Sequence, residues 1–444
     1  MRKPWTLYLP DFIKRRIEAS PQLQDILSNT GWLIGDRIVR AVVGLLVNIW
    51  MASYLGPSLY GKFSYALAFS MLFVPAAMLG LDQIAMREMV KEPAKKNDVL
   101  GTVFLLMLLG GLAVFVLANT IIRLFAPQDS LTYWLVAIMT AGAVFQSLYV
   151  IDFWFESKLQ WKFSVYAKNT AFLFLSLVKI GLILLKAPLI AFAWAGLAEI
   201  ALGSAGLVLV YRAKGYTLRT WRYSRKMATT FLKDGWPQLF SVFLTMIHLK
   251  VDQVMLGNMV GNEQVGYYSI AVRLADAGYF IPLAICYSVF PAVVEAKKIN
   301  EALYYERVQK LYNLIVLLSY AIAIPVMFLS DRIVDILFSS TYMSSGPLLA
   351  VFIWTGLFSS LSAGRNVFMV SQNWLRMNLA STFLACLLNV VLNYCLIPGY
   401  GAMGAIIASL ISYWFAVHGS CFIFRPLRTT GWMLTKAMLY PKIW

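Results

Sequence analysis

Nine ionisable side chains stand inside the most apolar stretches of this sequence. Five are bases, Arg37, Arg40, Lys179, Lys250 and Arg273, and four are acids, Asp36, Glu199, Asp252 and Asp276. A charge at bilayer depth costs about 3 kcal/mol or more, so such groups face a partner or a hydrated cavity. Two kinds of chemistry are open to them. As structural pairs they would fix the register of one helix on another. As cavity-lining groups they would make a hydrated cavity with a cationic bias, able to hold an anionic headgroup. The excess of a single base permits the anionic reading and goes no further.

Helical spacing sorts these residues into faces. Arg37, Arg40, Ala41, Gly44 and Asn48 fall on one side of an otherwise Val/Ile/Leu helix, a small and polar stripe. Asp36 and Arg40 are four apart and can pair. Ser241, Thr245, His248 and Asp252 form a second stripe, from which Lys250 points away by about 200° at 100° per residue. Ser269, Arg273 and Asp276 share a face, and the spacing predicts an intrahelical Arg273–Asp276 pair. Asn378, Thr382, Ala385, Asn389 and Asn393 make a polar ribbon suited to holding a neighbouring helix or to lining a polar path. Glu199 stands between Gly196 and Gly203.

The elements that carry these residues must be membrane-spanning helices. Hydrophobic residues make up 60% of the 444 and charged residues only 13%, with a mean hydropathy of +0.69. A soluble domain has roughly 45–50% and about 25% respectively. Twelve spans are predicted, at 32–54, 63–84, 99–121, 131–151, 164–184, 189–211, 236–257, 267–291, 311–330, 347–364, 377–396 and 402–424. The first 31 residues are polar and basic and carry no cleavable signal pattern; residues 5–27 read as either an amphipathic surface helix or a polar tail. With a cytoplasmic N-terminus, twenty-nine Lys/Arg fall on the cytoplasmic side and four on the other, Lys62, Arg123, Lys186 and Arg332. This positive-inside bias places both termini in the cytoplasm. The net charge of +17 is therefore a topology code, and nucleic acid is not an expected partner. Neither the four cysteines nor the two histidines, His248 and His418, are arranged for disulfides or a metal.

A basic loop, 212–235, divides the spans into two sets of six. The expected organisation is an N-terminal segment 1–31, an N-lobe 32–211, the linker 212–235, a C-lobe 236–424 and a tail 425–444. The lobes share a weak repeat. Leu55-Gly56 and Gly61-Lys62-Phe63-Ser64-Tyr65-Ala66 recur as Leu256-Gly257 and Gly266-Tyr267-Tyr268-Ser269-Ile270-Ala271. Two six-helix bundles of one orientation would be related by a pseudo-two-fold axis along the membrane normal, as in transporters built from parallel repeats. No P-loop occurs, and Gly399-Tyr400-Gly401-Ala402-Met403-Gly404, which matches a dinucleotide fingerprint, reads as a tight turn between the last two spans. Neither an Asp-x-Asp metal pair nor a large external loop equips the chain as a glycan-assembly enzyme, and no cofactor is expected.

Tyr54-Leu55-Gly56-Pro57 with Tyr60-Gly61, then Gly80-Leu81-Asp82 and Arg87, resembles the opening signature of bacterial Wzx-type polysaccharide flippases. Asp252-Gln253-Val254-Met255-Leu256-Gly257, Val265-Gly266-Tyr267-Tyr268 and Ala271-Val272-Arg273-Leu274 resemble their seventh and eighth helices, with Pro282 and Pro291 following. Asn389 to Asn393, Ile397-Pro398, Tyr400-Gly401 and Gly404-Ala405 resemble the eleventh-to-twelfth helix junction, so the likeness runs over about 30–424. These are O-antigen transporters of the multidrug/oligosaccharidyl-lipid/polysaccharide superfamily. The resemblance implies an all-α fold of two six-helix bundles working by alternating access in the bacterial inner membrane. It implies an undecaprenyl-diphosphate-linked oligosaccharide as cargo, membrane lipids and a polysaccharide polymerase as partners, and possible coupling to a cation gradient. Arg37, Arg40, Lys250, Arg273 and Asn48 are then the substrate candidates, and Asp252, Asp276 and Glu199 the coupling candidates. Many members carry Arg where this chain has Lys250, and an ammonium lacks the fork needed for a bidentate phosphate clamp. A cation-coupled multidrug exporter of the same fold is the alternative, and a membrane enzyme of glycan assembly a more distant one.

Overall fold

The computed structural model of the protein describes residues 21–125, 128–279, 282, 293, 295–338, 340–372 and 374–442. Among these the chain is helical, as the lipid solvent requires: within hydrocarbon each backbone N–H and C=O must be satisfied inside its own segment. Nine helical stretches among the described residues are long and apolar enough to cross a membrane.

The first predicted pair of spans is one helix, α1 (Pro21–Met78), bent at Gly56 with φ 72° and ψ 171°. The predicted loop at 55–62 is therefore helical from Pro57 onward. Proline starts a helical segment without cost because the first turn has no use for its N–H. The last pair is α13 (Leu375–Trp414), broken at Gly401 with φ 56° and ψ −133°, so the expected turn is a single residue. The tenth predicted span, 347–364, runs further than expected, as α11 (Ser345–Phe352) and α12 (Thr355–Ser371). Of the eighth, 267–291, only the part up to Tyr279 and position 282 is described, and Cys286 and Pro291 lie outside the described residues. So does the proposed surface segment up to position 20, along with the side chain of Arg37.

The chain forms two compact units. One comprises residues up to 47 together with 73–239. It holds α2 (Asp82–Lys91), α3 (Lys96–Phe125), α4 (Ser130–Gln146), α5 (Val150–Ser157), α6 (Trp161–Leu184), α7 (Leu189–Ala213) and the first turns of α8 (Arg225–Met259). The start of α4 is set by Asp129, whose carboxylate accepts from the Thr132 N–H at 3.1 Å, an N-cap worth about 1 kcal/mol. Helix α3 packs along α4, α6 along α7, and α4 against α7. The core gathers Leu81, Met89, Leu100, Trp154, Phe155, Leu207 and Tyr211.

The second unit comprises 48–72 and 240–444: the middle of α1, the rest of α8, α9 (Asn262–Gly278), α10 (Glu301–Phe338), α11 to α13, a π-helical turn (Phe415–Gly419), α14 (Ser420–Ile423) and α15 (Arg428–Leu439). Its core is built on Tyr304, Tyr312, Leu361, Phe368, Val417 and Leu434. The repeat-related glycines meet here. A Cβ on Gly61 would lie 1.7 Å from the Asn262 carbonyl oxygen, and one on Gly266 would lie 2.2 Å from that of Pro57. Only hydrogen fits between these backbones, which explains glycine at both places.

Candidate functional site

In the first unit the polar interior is neutralised pair by pair. Arg40 Nε donates to Asp36 Oδ1 at 2.9 Å, as the four-residue spacing predicts. The Arg40 guanidinium also lies 4.9 Å from the centroid of Phe172 on α6, a cation–π contact. Glu199 on α7 accepts from Lys179 Nζ on α6 at 2.8 Å. Sequence reasoning had kept these two residues separate; α6 and α7 bring them together. A third pair was missed altogether. Asp152, buried at the start of α5, takes the ammonium of Lys168, which also lies 4.3 Å from the Tyr149 ring centroid. Its signal in the sequence was two lone charges in the aromatic runs Val150–Phe155 and Phe163–Phe172.

In the second unit the charges are not paired off one by one. Lys250 on α8 is within electrostatic reach of Asp276 and Arg273 on α9. The expected Arg273–Asp276 ion pair is not formed within 4 Å among the described residues. Helix α9 directs the Arg273 guanidinium to the ring of Tyr60 instead, 6.0 Å from its centroid, and Asp276 is shared electrostatically between Lys250 and Arg273. Lys250 is also within electrostatic reach of Asp252, so two cations and two carboxylates share this region. Asn48 is half-buried on α1.

Asp252 occupies a different setting, although it lies only two residues from Lys250. It is 2% exposed, and three neutral donors from two helices converge on it. Tyr268 of α9 donates its hydroxyl to Oδ2 at 2.8 Å, Ser409 of α13 donates to the same oxygen, and Asn393 Nδ2 donates to Oδ1 at 2.5 Å. Asn393 also reaches Asn389 Oδ1 at 3.2 Å, and Asn389 donates to Ser412 at 3.3 Å. Among the described residues no Lys or Arg nitrogen lies within 4 Å of the carboxylate. The amide oxygen of Asn393 is buried without a hydrogen-bond partner. A buried carboxylate held by two hydroxyl donors and one amide N–H, with no Lys or Arg nitrogen beside it among the described residues, is a group able to take up a cation such as a proton.

The predicted polar stripe on α8 divides at this point. His248 and Asp252 are buried, with the imidazole 4.7 Å from the Tyr413 ring centroid, whereas Thr245 merely back-bonds to the Ser241 carbonyl at 2.9 Å on an exposed surface. The asparagine ribbon of α13 also has two ends with two tasks: Asn389 and Asn393 serve Asp252, and Asn378 serves Arg365.

Arg365 was counted among the cytoplasmic charges, and α12 buries it to 2% exposure. Nη1 donates to the Val417 carbonyl and to Ser420 Oγ, both at 3.1 Å, and Nη2 donates to Asn378 Oδ1 at 2.9 Å. The Val417 carbonyl lies within the π-helical turn and Ser420 follows it, where the widened backbone changes the carbonyl pattern. No sequence signal marked Arg365, because the predicted span stopped one residue before it.

A helical membrane chain with these charges inside it can now be set beside known proteins. The model of the family described as polysaccharide biosynthesis protein matches residues 26–297. The chain belongs to this family. Among curated proteins, a probable low-salt glycan biosynthesis flippase, Agl15 of Haloferax volcanii, is 24% identical over 169 residues, which cover 37% of this chain and 35% of that protein. The match thus spans about a third of the relative's length. Among solved structures, an inward-facing multidrug resistance MATE family transporter of the MOP superfamily superposes with a TM-score of 0.69 at 16% identity, over 89% of this chain and 96% of the other. The lipid II flippase MurJ in an inward closed conformation gives 0.67 at 17% identity, over 92% and 91%. This member of the polysaccharide biosynthesis family therefore has the fold of the MOP-superfamily transporters and is a multi-pass membrane protein.

Proposed function

We propose that this chain is a flippase for undecaprenyl-diphosphate-linked oligosaccharide repeat units. It moves them across the bacterial inner membrane by alternating access, for surface polysaccharide assembly by a downstream polymerase. The reading rests on one coincidence: a sequence of the polysaccharide biosynthesis family takes a transporter fold that MurJ shares. Twelve spans in two six-helix lobes, with both ends cytoplasmic, belong to the same proposal.

Lys250 and Arg273 receive the diphosphate. They share the carboxylate of Asp276, and neither forms an ion pair within 4 Å among the described residues, so each can give a charge-assisted contact to a phosphate. Arg37 and Arg40, the substrate candidates of the first unit, stay within the same proposal, with Arg40 held by Asp36. Asp252 binds the coupling cation, as a buried carboxylate with no Lys or Arg nitrogen within 4 Å among the described residues. Glu199, tied to Lys179, holds α6 to α7 and leaves the coupling task to Asp252. Each state of the cycle must differ in affinity for cargo or cation, since a ligand bound equally by both states moves nothing.

Disruption of the gene with analysis of lipid-linked glycan tests the assignment. The disrupted strain is expected to accumulate complete repeat units on the lipid carrier and to lose surface glycan. Normal surface glycan with raised drug sensitivity would instead identify a drug exporter.

A further inference from the structure

Helices α10 and α15 enclose a groove of about 620 Å³ that plays no part in the proposed transport path. Tyr305, Lys310, Met433, Lys436, Tyr440 and Lys442 line it, so three lysines border one groove. Its acid, Glu306, pairs with Lys310 at 2.7 Å, with both side chains more than half exposed. Such an exposed pair is weak because solvent screens it, so a phosphate can take the ammonium from it. Among the described residues no carboxylate lies within 4 Å of Lys436 or Lys442, and the Lys442 ammonium rests 4.7 Å from the Tyr440 ring centroid.

The walls are held in place. Gln309 donates to Asn313 at 2.8 Å and to the Met433 carbonyl at 3.0 Å. Asn313 donates to the Lys442 carbonyl, Tyr320 donates to that of Met438 at 2.9 Å, and Tyr312 and Thr430 are joined at 3.0 Å. These bonds fasten α15 along α10, so the groove exists before any ligand arrives, and its size falls within the usual range of roughly 300–1,000 Å³ for small-molecule sites.

Its depth in the bilayer follows from the sequence. Lys310 is the last charge on α10 before an uncharged run from Leu311 to Ser330. Helix α15 exposes Trp432 (65%), Leu439 (79%) and Tyr440 (58%), the mixture of aromatic, aliphatic and basic residues that lies in the headgroup layer. A basic pocket at this depth matches a lipid phosphate above apolar chains. The chain's own segment 1–20 is a poor occupant, because five bases in it (Arg2, Lys3, Lys14, Arg15, Arg16) outnumber two acids (Asp11, Glu18).

We propose that this groove binds an anionic phospholipid of the bilayer, whose phosphate is held by Lys310, Lys436 and Lys442. The test is native mass spectrometry of the delipidated full chain in detergent, titrated with dioleoylphosphatidylglycerol or dioleoylphosphatidylcholine. The wild type is expected to prefer phosphatidylglycerol at least tenfold. Lys310→Gln/Lys436→Gln/Lys442→Gln should abolish that preference, while the three Lys→Arg replacements should keep it. Lys436→Gln alone, at an exposed position with little bearing on folding, should lower it severalfold, and Lys226→Gln in the basic loop should leave it intact. Equal binding of the two lipids by the wild type would overturn the proposal, as would a triple Gln variant that still discriminates. Tight binding of undecaprenyl diphosphate that depends on the three lysines, with no preference for phosphatidylglycerol, would overturn it in favour of a cargo-entry site.

Discussion

Replacing Asp252 by Asn keeps the side-chain shape and removes the charge. The carboxylate accepts from Tyr268, Ser409 and Asn393, and hydrogen bonds to an ionised group contribute about 1.5–3 kcal/mol each. The hydroxyls of Tyr268 and Ser409 can turn to suit an amide, so folding survives while cation affinity does not. At a cation concentration a hundredfold above Kd, binding to the native state adds about 2.7 kcal/mol. For units of about 200 residues that corresponds to roughly 5–11 °C in melting temperature. The assay is thermal unfolding of the purified full chain in detergent, titrated with sodium chloride against choline chloride and repeated from pH 5.5 to 8.5. The wild type should show a cation-dependent rise, with sodium if sodium couples or with falling pH if the proton does. Asp252→Asn should flatten it to about 1 °C or less. An unchanged rise in the variant, or no dependence on either cation in the wild type, refutes the assignment of Asp252.

Arg365→Lys removes the fork that reaches both Asn378 and the Val417–Ser420 turn; a loss of about 1–3 kcal/mol in thermal unfolding is expected, and wild-type stability would deny Arg365 that role. Gly61→Val and Gly266→Val must push apart backbones that leave 1.7 and 2.2 Å for a Cβ, costing about 1–3 kcal/mol or more; variants as stable as the wild type would contradict the packing. Lys179→Met and Glu199→Gln should each lower stability more than their combination does, giving a coupling of about 0.5–2 kcal/mol in a double-mutant cycle, trimmed by the partial exposure of both groups. Strict additivity would show that the pair contributes nothing. Arg273→Ala should reduce surface glycan severalfold at normal protein levels, whereas full glycan would make that arginine structural.

The sequence revealed the helical membrane character because apolar runs and basic loops are additive signals that packing does not rearrange. It also marked the glycines at 61 and 266, whose close backbone contacts leave no room for a side chain at either position. Local spacing served less well for charges. It foresaw Asp36–Arg40, where both partners sit on one helix turn, and it misplaced Arg273, whose guanidinium leaves its own helix for Tyr60. It left Lys179 and Glu199 apart and Asp152 unnoticed, because their partners come from other helices. Arg365 shows the same limit: a residue at the predicted edge of a span looks solvated until the helix is seen to continue. The Asp252 shell was legible in pieces, as the α8 stripe and the asparagine ribbon of α13, but nothing local joined them. Breaks at Gly56 and Gly401 were read as loops, since Gly and Pro mark a change of direction without stating its length.

The central claim is translocation of a lipid-linked glycan. Purified full chain is reconstituted into vesicles that carry an undecaprenyl-diphosphate oligosaccharide with a fluorescent sugar, and a membrane-impermeant quencher reports the exposed leaflet. The account predicts that the quenchable fraction changes with time only in vesicles containing the protein, and much more slowly with Lys250→Ala/Arg273→Ala. A quenchable fraction that stays the same with and without the protein, under imposed sodium and proton gradients, would contradict it.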